Sequence, residues 1–187
     1  YSKSLNEKNS YISIIIGLFA GILLFPSPDF SKSLLVGIIF PSDFFHETQV
    51  LINVLSYDGS INPDILGTIG ASTALSISDI PWDGPVASVR IGRVDGQFVI
   101  NPNNVELEKS DMEVIVSGTS DSILMVEGSA DFITEDDFIS AVQYSHEVIK
   151  DIVKLQLEMV EKVGKDKIDY DKREPISDDL VKAIESK

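Results

Sequence analysis

Six acidic residues, Glu106, Glu108, Asp111, Glu113, Asp121 and Glu127, are the side chains whose type and crowding invite chemistry. Hard cations such as Mg²⁺ are held by carboxylate oxygens. If Met112–Val116 is a strand, Asp111 and Glu113 share one face and Met112 and Val114 the other. A solvated strand-entry loop explains the same acids in so acidic a chain, and both readings stand at this point. Asn62-Pro63-Asp64 followed by Gly67-Thr-Ile-Gly70 resembles a phosphate-gripping turn. It lacks the Gly-Lys-Ser/Thr of a P-loop and three glycines at a strand-to-helix turn, so close helix packing is the better reading. Ser72, Ser76 and Ser78 share one helix with no histidine at a useful spacing. His46 and His146 are 100 positions apart, and there is no Gly-x-Ser-x-Gly elbow, which argues against a serine hydrolase. His146 lies inside a long helix and reads as a helix-face residue rather than a base.

Composition narrows the field further. The chain has 187 residues, 43% of them hydrophobic, enough for a buried core. The absence of cysteine removes disulfides, zinc–thiolate sites, iron–sulfur clusters and thiol nucleophiles. Two histidines do not make a His-rich metal site. Fifteen Lys and Arg against thirty Asp and Glu give a net charge of −15, the wrong sign for a stand-alone nucleic-acid binder. Only Arg90, Arg93 and Arg173 are arginines.

The elements that would position these residues divide the chain near Phe40. Residues 1–40 carry three lysines and two acids, whereas residues 41–187 carry twelve cations and twenty-eight acids. Tyr11–Phe25 is a nearly continuous apolar run of fifteen residues. That is short of the about 20 residues a membrane-spanning helix requires. Pro26 and Pro28 stop its extension. Lys3 and Lys8 could serve as the n-region of a signal peptide, but no small-x-small cleavage site follows. Gly17 and Gly21 form a G-x-x-x-G pair. A buried or irregular core element, a membrane-associated segment and a targeting sequence all remain open for residues 11–40.

After Phe40 the pattern is mixed α and β. Thr48–Tyr57 is a β-prone run ending at the Asp58-Gly59 turn. Asn62-Pro63-Asp64 opens a helix over Ile65–Ile80, whose Gly67, Gly70, Ala71, Ser72 and Ala74 would let it lie close to a sheet. Pro85–Val94 and Gln97–Ile100 read as a hairpin joined at Asp95-Gly96. Met112–Val116 and Ser122–Val126 read as two further strands. Thr134 with Asp137 is a capping-box variant, and Glu135, Asp136 and Asp137 favour the positive end of a helix. Phe138, Val142, Ile149, Ile152, Val153, Val160 and Val163 then recur at helical spacing up to Gly164, predicting a helix of roughly 28 residues. Lys165–Pro175 is a charged linker, and a short helix is expected from Ser177 to Ile184.

Several motifs follow one another in an order that resembles a known family. They are Glu47-Thr-Gln-Val50, Leu55-Ser-Tyr-Asp58, Pro63-Asp-Ile-Leu66, Gly70-Ala-Ser-Thr-Ala-Leu75, Ser78-Asp-Ile-Pro81, Gly84-Pro85 and Arg90-Ile-Gly92. Asp95-Gly96, Phe98-Val-Ile-Asn-Pro102, Ser117-Gly-Thr119 and Leu124-Met-Val-Glu127 continue the series. Together they resemble the first RNase PH-like domain of the polyribonucleotide nucleotidyltransferases, with the helix from Thr134 resembling the start of the all-helical insert. The resemblance covers residues 40 to about 163. It implies an α/β (α+β) RNase PH-like fold, a mixed sheet with packed helices and a C-terminal helical segment. The implied organisation is a divergent apolar segment at 1–40, a partial RNase PH-like domain at 41–133, and the long helix and start of the insert at 134–187.

The family degrades RNA from its 3′ end with inorganic phosphate, releasing nucleoside diphosphates, as a homotrimeric ring assisted by Mg²⁺ or Mn²⁺. Its metal site resembles Asp, five residues, Asp, one residue, Lys, before a Gly-Thr/Ser. Aligning Gly118-Thr119 to that pattern puts Leu107, Glu113 and Ile115 at the three positions. One carboxylate cannot supply the about six oxygens such a cation takes. The resemblance therefore implies a non-catalytic half, with no catalytic or metal residue in this chain and the RNA-binding residues undefined. Upstream, Leu34 and Gly37 stand where the family has arginines, and no counterpart of its Phe-Phe-Arg-Arg-like loop exists near Gly17–Gly21. The likeness stops abruptly at Phe40, as a frame shift or a replaced N-terminus would produce. RNA, phosphate, sister subunits and RNA-degradation machinery are the implied partners, in the bacterial cytoplasm or an organelle. A second reading, from another class, is a degenerate RNase PH-like binding module attached to a membrane or partner through residues 11–40.

Overall fold

The computed structural model describes residues 40, 41, 43, 44, 46, 48–172 and 184. The apolar run at 11–39, Leu34 and Gly37 within it, and the helix expected at 177–183 lie outside the described residues. Helix α1 is Asp64–Ile77, strands β1 and β2 are Ala87–Val94 and Gln97–Ile100, and α2 is the short Asn104–Leu107. Strands β3 and β4 are Met112–Gly118 and Ile123–Ala130, and α3 is Glu135–Val163. The strands form an antiparallel sheet in the order β2-β1-β3-β4. The β1–β2 turn is the expected hairpin: Val94 pairs with Gln97, and Asp95 and Gly96 take φ of 51° and 77°. Two consecutive positive φ values match the right-handed twist of the flanking strands, and glycine adopts one without steric cost.

The core is set by alternation along the central strands. Val89 pairs with Val116 and Ile91 with Val114, so Ala87, Val89 and Ile91 share a face with Met112, Val114 and Val116. Against that face α3 packs Ala141, Ile149 and Val153. Six consecutive residues of β1, Ala87–Gly92, are buried, so both faces are covered there. On the second face the Ser72 hydroxyl of α1 accepts from the Val86 amide at 2.8 Å, and Asp64 meets Arg90. The deepest residues on α1 are Thr68 and Ser72, 0% and 1% exposed, with Ile65 and Leu75 beside them. Its glycines lie elsewhere: Gly70 is exposed with open space around it, and Gly67 faces Ile52 of the incoming chain. Small hydroxyl residues, not glycines, make the close contact that the composition anticipates.

The boundaries shift for local reasons. Helix α1 stops at Ile77, three residues before Ile80, because the Ser78 hydroxyl donates to the Leu75 carbonyl and takes the Ile80 amide. β1 begins at Ala87 rather than Pro85, since Pro85 has no N–H for a ladder and the Val86 amide is taken by the Ser72 hydroxyl. Thr48–Tyr57 is not a strand: it runs without regular structure, and Leu51, Val54, Leu55 and Tyr57 are exposed. A strand exists only where a neighbour completes its ladder, and no described strand lies alongside this run. α3 spans 29 residues and ends before Gly164, as the periodicity predicts.

Candidate functional site

The six candidate acids do not converge. Glu106 is consumed at the start of α2, where its carboxylate accepts the Asn103 amide at 2.8 Å while the Asn103 side chain accepts the Glu106 amide at 3.0 Å. This capping box was readable as Asn-x-x-Glu, and the short helix it nucleates is an element that apolar periodicity alone passes over. Glu108, Asp121 and Glu127 are exposed. Asp111 precedes β3 rather than sharing a strand face with Glu113, and each takes its own arginine. Among the described residues, no group of three or more His, Asp and Glu side chains is placed to hold a metal ion.

Arg90 and Arg93 organise what does assemble. Three positions apart on one strand, their side chains leave opposite faces of the sheet. Arg90, with a side chain 9% exposed, bonds Asp64 in the first turn of α1 at 2.5 Å and the Glu113 carboxylate on β3. Arg93 bonds Asp111 in a fork, Nε to Oδ1 at 2.9 Å and Nη2 to Oδ2 at 2.7 Å, and reaches Asp137 in the first turn of α3 at 2.7 Å. These bonds push the Arg93 guanidinium up from its ordinary value and hold the Asp111 carboxyl below its own. Asp137 is held down first by the Thr134 hydroxyl at 2.8 Å and then by Arg93. Each arginine therefore ties a helix start to the sheet and has its charge matched by two carboxylates. A guanidinium so paired is not available to grip phosphate.

The three positions that align with a metal site lie apart in role. Leu107 ends α2, Ile115 stands opposite Arg90 in the β1–β3 register, and Glu113 is taken by Arg90. The donor set does not fit Mg²⁺ or Mn²⁺: two positions are hydrocarbon, and the single carboxylate is already paired with Arg90. Gly118-Thr119 opens the β3–β4 turn, closed by the Thr119 amide donating to the Ser122 carbonyl at 2.9 Å. His146 lies under that turn with Nε2 3.1 Å from the Thr119 carbonyl, and His46 is exposed beside Phe44. Of the serines, Ser72 and Ser78 bond backbone, and Ser76 is buried without a partner among the described residues. Among the described residues, no nucleophile–base pair is formed.

Sequence comparisons give this scaffold its relatives. Residues 84–148, from just before β1 into the middle of α3, match the family described as 3′ exoribonuclease family, domain 2. The chain is 45% identical over 149 residues to the polyribonucleotide nucleotidyltransferase of Deinococcus deserti, covering 80% of this chain and 21% of that protein. It is 52% identical over 132 residues to that of Thermomicrobium roseum, covering 71% of this chain and 17% of the relative. The chain thus spans about a fifth of the length of these relatives. A solved structure, rice Rrp46, is similar with a TM-score of 0.49 at 11% identity, over 55% of this chain and 50% of that one. The ordered motifs, the antiparallel sheet with its packed helices, and 45–52% identity over most of its length place this chain, as a segment with an RNase PH-like fold, in the polyribonucleotide nucleotidyltransferase family.

Proposed function

We propose that this chain is the scaffold half of a phosphorolytic 3′-to-5′ exoribonuclease, with the chemistry carried by another part of the intact protein. The reading rests on one observation: Glu113, the single carboxylate at the aligned metal positions, is paired with Arg90. In the reaction proposed for the intact protein, an oxygen of inorganic phosphate attacks the terminal phosphodiester phosphorus. The bond to the 3′ oxygen of the preceding nucleotide breaks, leaving a shortened RNA and a nucleoside diphosphate. Such a step needs a cation or fixed positive charge at the phosphoryl group. Here Arg90 and Arg93 are both spent on carboxylates, and the net charge of −15 opposes RNA. This half supplies scaffold and RNA path within a homotrimeric ring, and Mg²⁺ or Mn²⁺ belongs to the other half. The bacterial relatives favour a cytoplasmic setting. A binding module attached through residues 11–40 has less behind it than 45% identity to an enzyme over 80% of the chain.

The test is phosphorolysis of labelled oligo(A) with phosphate and Mg²⁺, by this chain and by the full-length protein. Release of ADP by the full-length protein and none by this chain is the expected result. Release by this chain that persists in Glu113→Ala would place a working site elsewhere in these 187 residues and overturn the assignment.

A further inference from the structure

We propose that residues 164–172 form a strap that latches the end of α3 onto the end of α1 and abuts, through Tyr170, the aromatic chain that leads to the single tryptophan, with Lys167 as the latch. The last carbonyls of a helix lack intrahelical partners, and α1 has no basic residue in its last turn to satisfy them. Lys167, about ninety positions later, does so. Its ammonium donates to the carbonyls of Leu75 and Ser76 at 3.0 Å each and of Ser78 at 2.8 Å. Three donors meet three acceptors, the full capacity of an ammonium. Main-chain bonds flank the latch on both sides: the Lys165 amide donates to Ile77 at 3.0 Å and the Ile168 amide to Asp79 at 2.8 Å.

The strap then ends on an aromatic chain. The Tyr170 hydroxyl donates to Asp43 Oδ1 at 2.6 Å, a bond that pushes its phenol up to about 12. The Tyr170 ring meets Phe44 edge-on at 5.1 Å, Phe44 stacks on Phe40 at 6.0 Å, and Phe40 meets Trp82 edge-on at 5.0 Å. Trp82 is 8% exposed and packs with Leu75 and Val86. The strap has no helix or strand of its own, and most of its residues are exposed. Among the described residues, these contacts and the Lys172–Asp43 ion pair at 3.4 Å hold it down, so it opens as a local unit without unfolding the sheet. Seated, it fixes the ends of α1 and α3 together and sets the direction in which the chain leaves the domain. Released, it uncovers the aromatic chain.

Trp82 is the only tryptophan in the sequence, so its fluorescence reports on the strap. The experiment measures acrylamide quenching of Trp82 and amide hydrogen exchange across the full 187-residue chain for wild type, Lys167→Met and Lys167→Arg. Lys167→Met keeps the aliphatic stem and removes the charge and donors. It should accelerate exchange at Lys165 and Ile168 by about tenfold and raise Trp82 quenching, while β1 and β3 amides keep their protection. Lys167→Arg, which restores donors, should stay near wild type. Unchanged exchange in the strap, unchanged quenching, or an equal loss of protection in β1 and β3 would overturn the proposal. Tyr170→Phe, which keeps the ring and loses only the Asp43 bond, gives a milder variant in which the same loosening must appear at Tyr170 and Trp82.

Discussion

Arg93 is the residue at which charge, sheet and helix meet, and its pairing carries a pH signature. Asp111 is held below its ordinary 3.8 chiefly by the bonds from Arg93, and Asp137 by Thr134 and then Arg93. A depressed carboxylate contributes stability that is present above its unfolded value and lost as pH falls through the folded one. The contribution therefore stands at neutral pH and fades below 3.8. Arg93→Met should lower the melting temperature near pH 7, and the gap to wild type should close as the pH drops below that value. A gap of equal size at neutral and acid pH would show that Arg93 acts through packing of its stem instead. Arg90 differs in being nearly buried. Removing it strands Asp64 and Glu113, both partly solvated, so Arg90→Met should cost about 2 kcal/mol in a denaturant titration, less than for a fully buried pair.

At the level of elements, the clearest sequence signals were those that depend on neighbours close along the chain. Thr134 accepts the Asp137 amide at 3.1 Å, and three acids fill the first turn of α3, as the capping variant predicts. The match to a capping box is partial, because the Asp137 carboxylate turns to the Thr134 hydroxyl and to Arg93. Thr134→Ala should destabilise by about 1 kcal/mol, read from the denaturation midpoint at unchanged slope. Thr134→Ser should recover most of that loss, and equal loss in both variants would dissociate the hydroxyl from the effect. The hairpin at Asp95-Gly96 was legible for the same reason, since two residues suffice to specify it. Thr48–Tyr57 was not, because β-propensity describes a fit to a partner surface and the described residues contain none for it.

For the molecule as a whole, the charge balance and the family relation point in different directions, and scale reconciles them. An isolated chain at −15 repels RNA, whereas the ring proposed above would draw positive surface from every subunit and from the other parts of a longer protein. If the family assignment extends to assembly, the full-length protein should have the solution mass of a trimer, since closed cyclic symmetry is how such domains satisfy repeated contacts. Light scattering that returns a monomer across the micromolar range would count against the ring. The apolar residues left exposed on α3, among them Leu155, Leu157, Met159 and Val163, belong to this scale too, because a segment covering about a fifth of its relatives presents surface that other parts of a longer protein would meet.

The amino-acid sequence by itself determined what depends on order and local spacing: the family, the hairpin, the start and length of α3, and the poverty of the aligned metal positions Leu107, Glu113 and Ile115. Each follows from residues within a few positions of one another or from a long ordered series of motifs. Tertiary structure alone decided where the charges went. Nothing in the spacing says that Glu113 is spent on Arg90, that Arg93 gathers Asp111 with Asp137, or that Lys167 caps a helix ending about ninety residues earlier. These are pairings between distant segments, fixed only when strand alternation and helix packing bring opposite charges within hydrogen-bond reach. A carboxylate's chemistry depends on which cation it meets, so its role is a property of the fold rather than of its place in the chain.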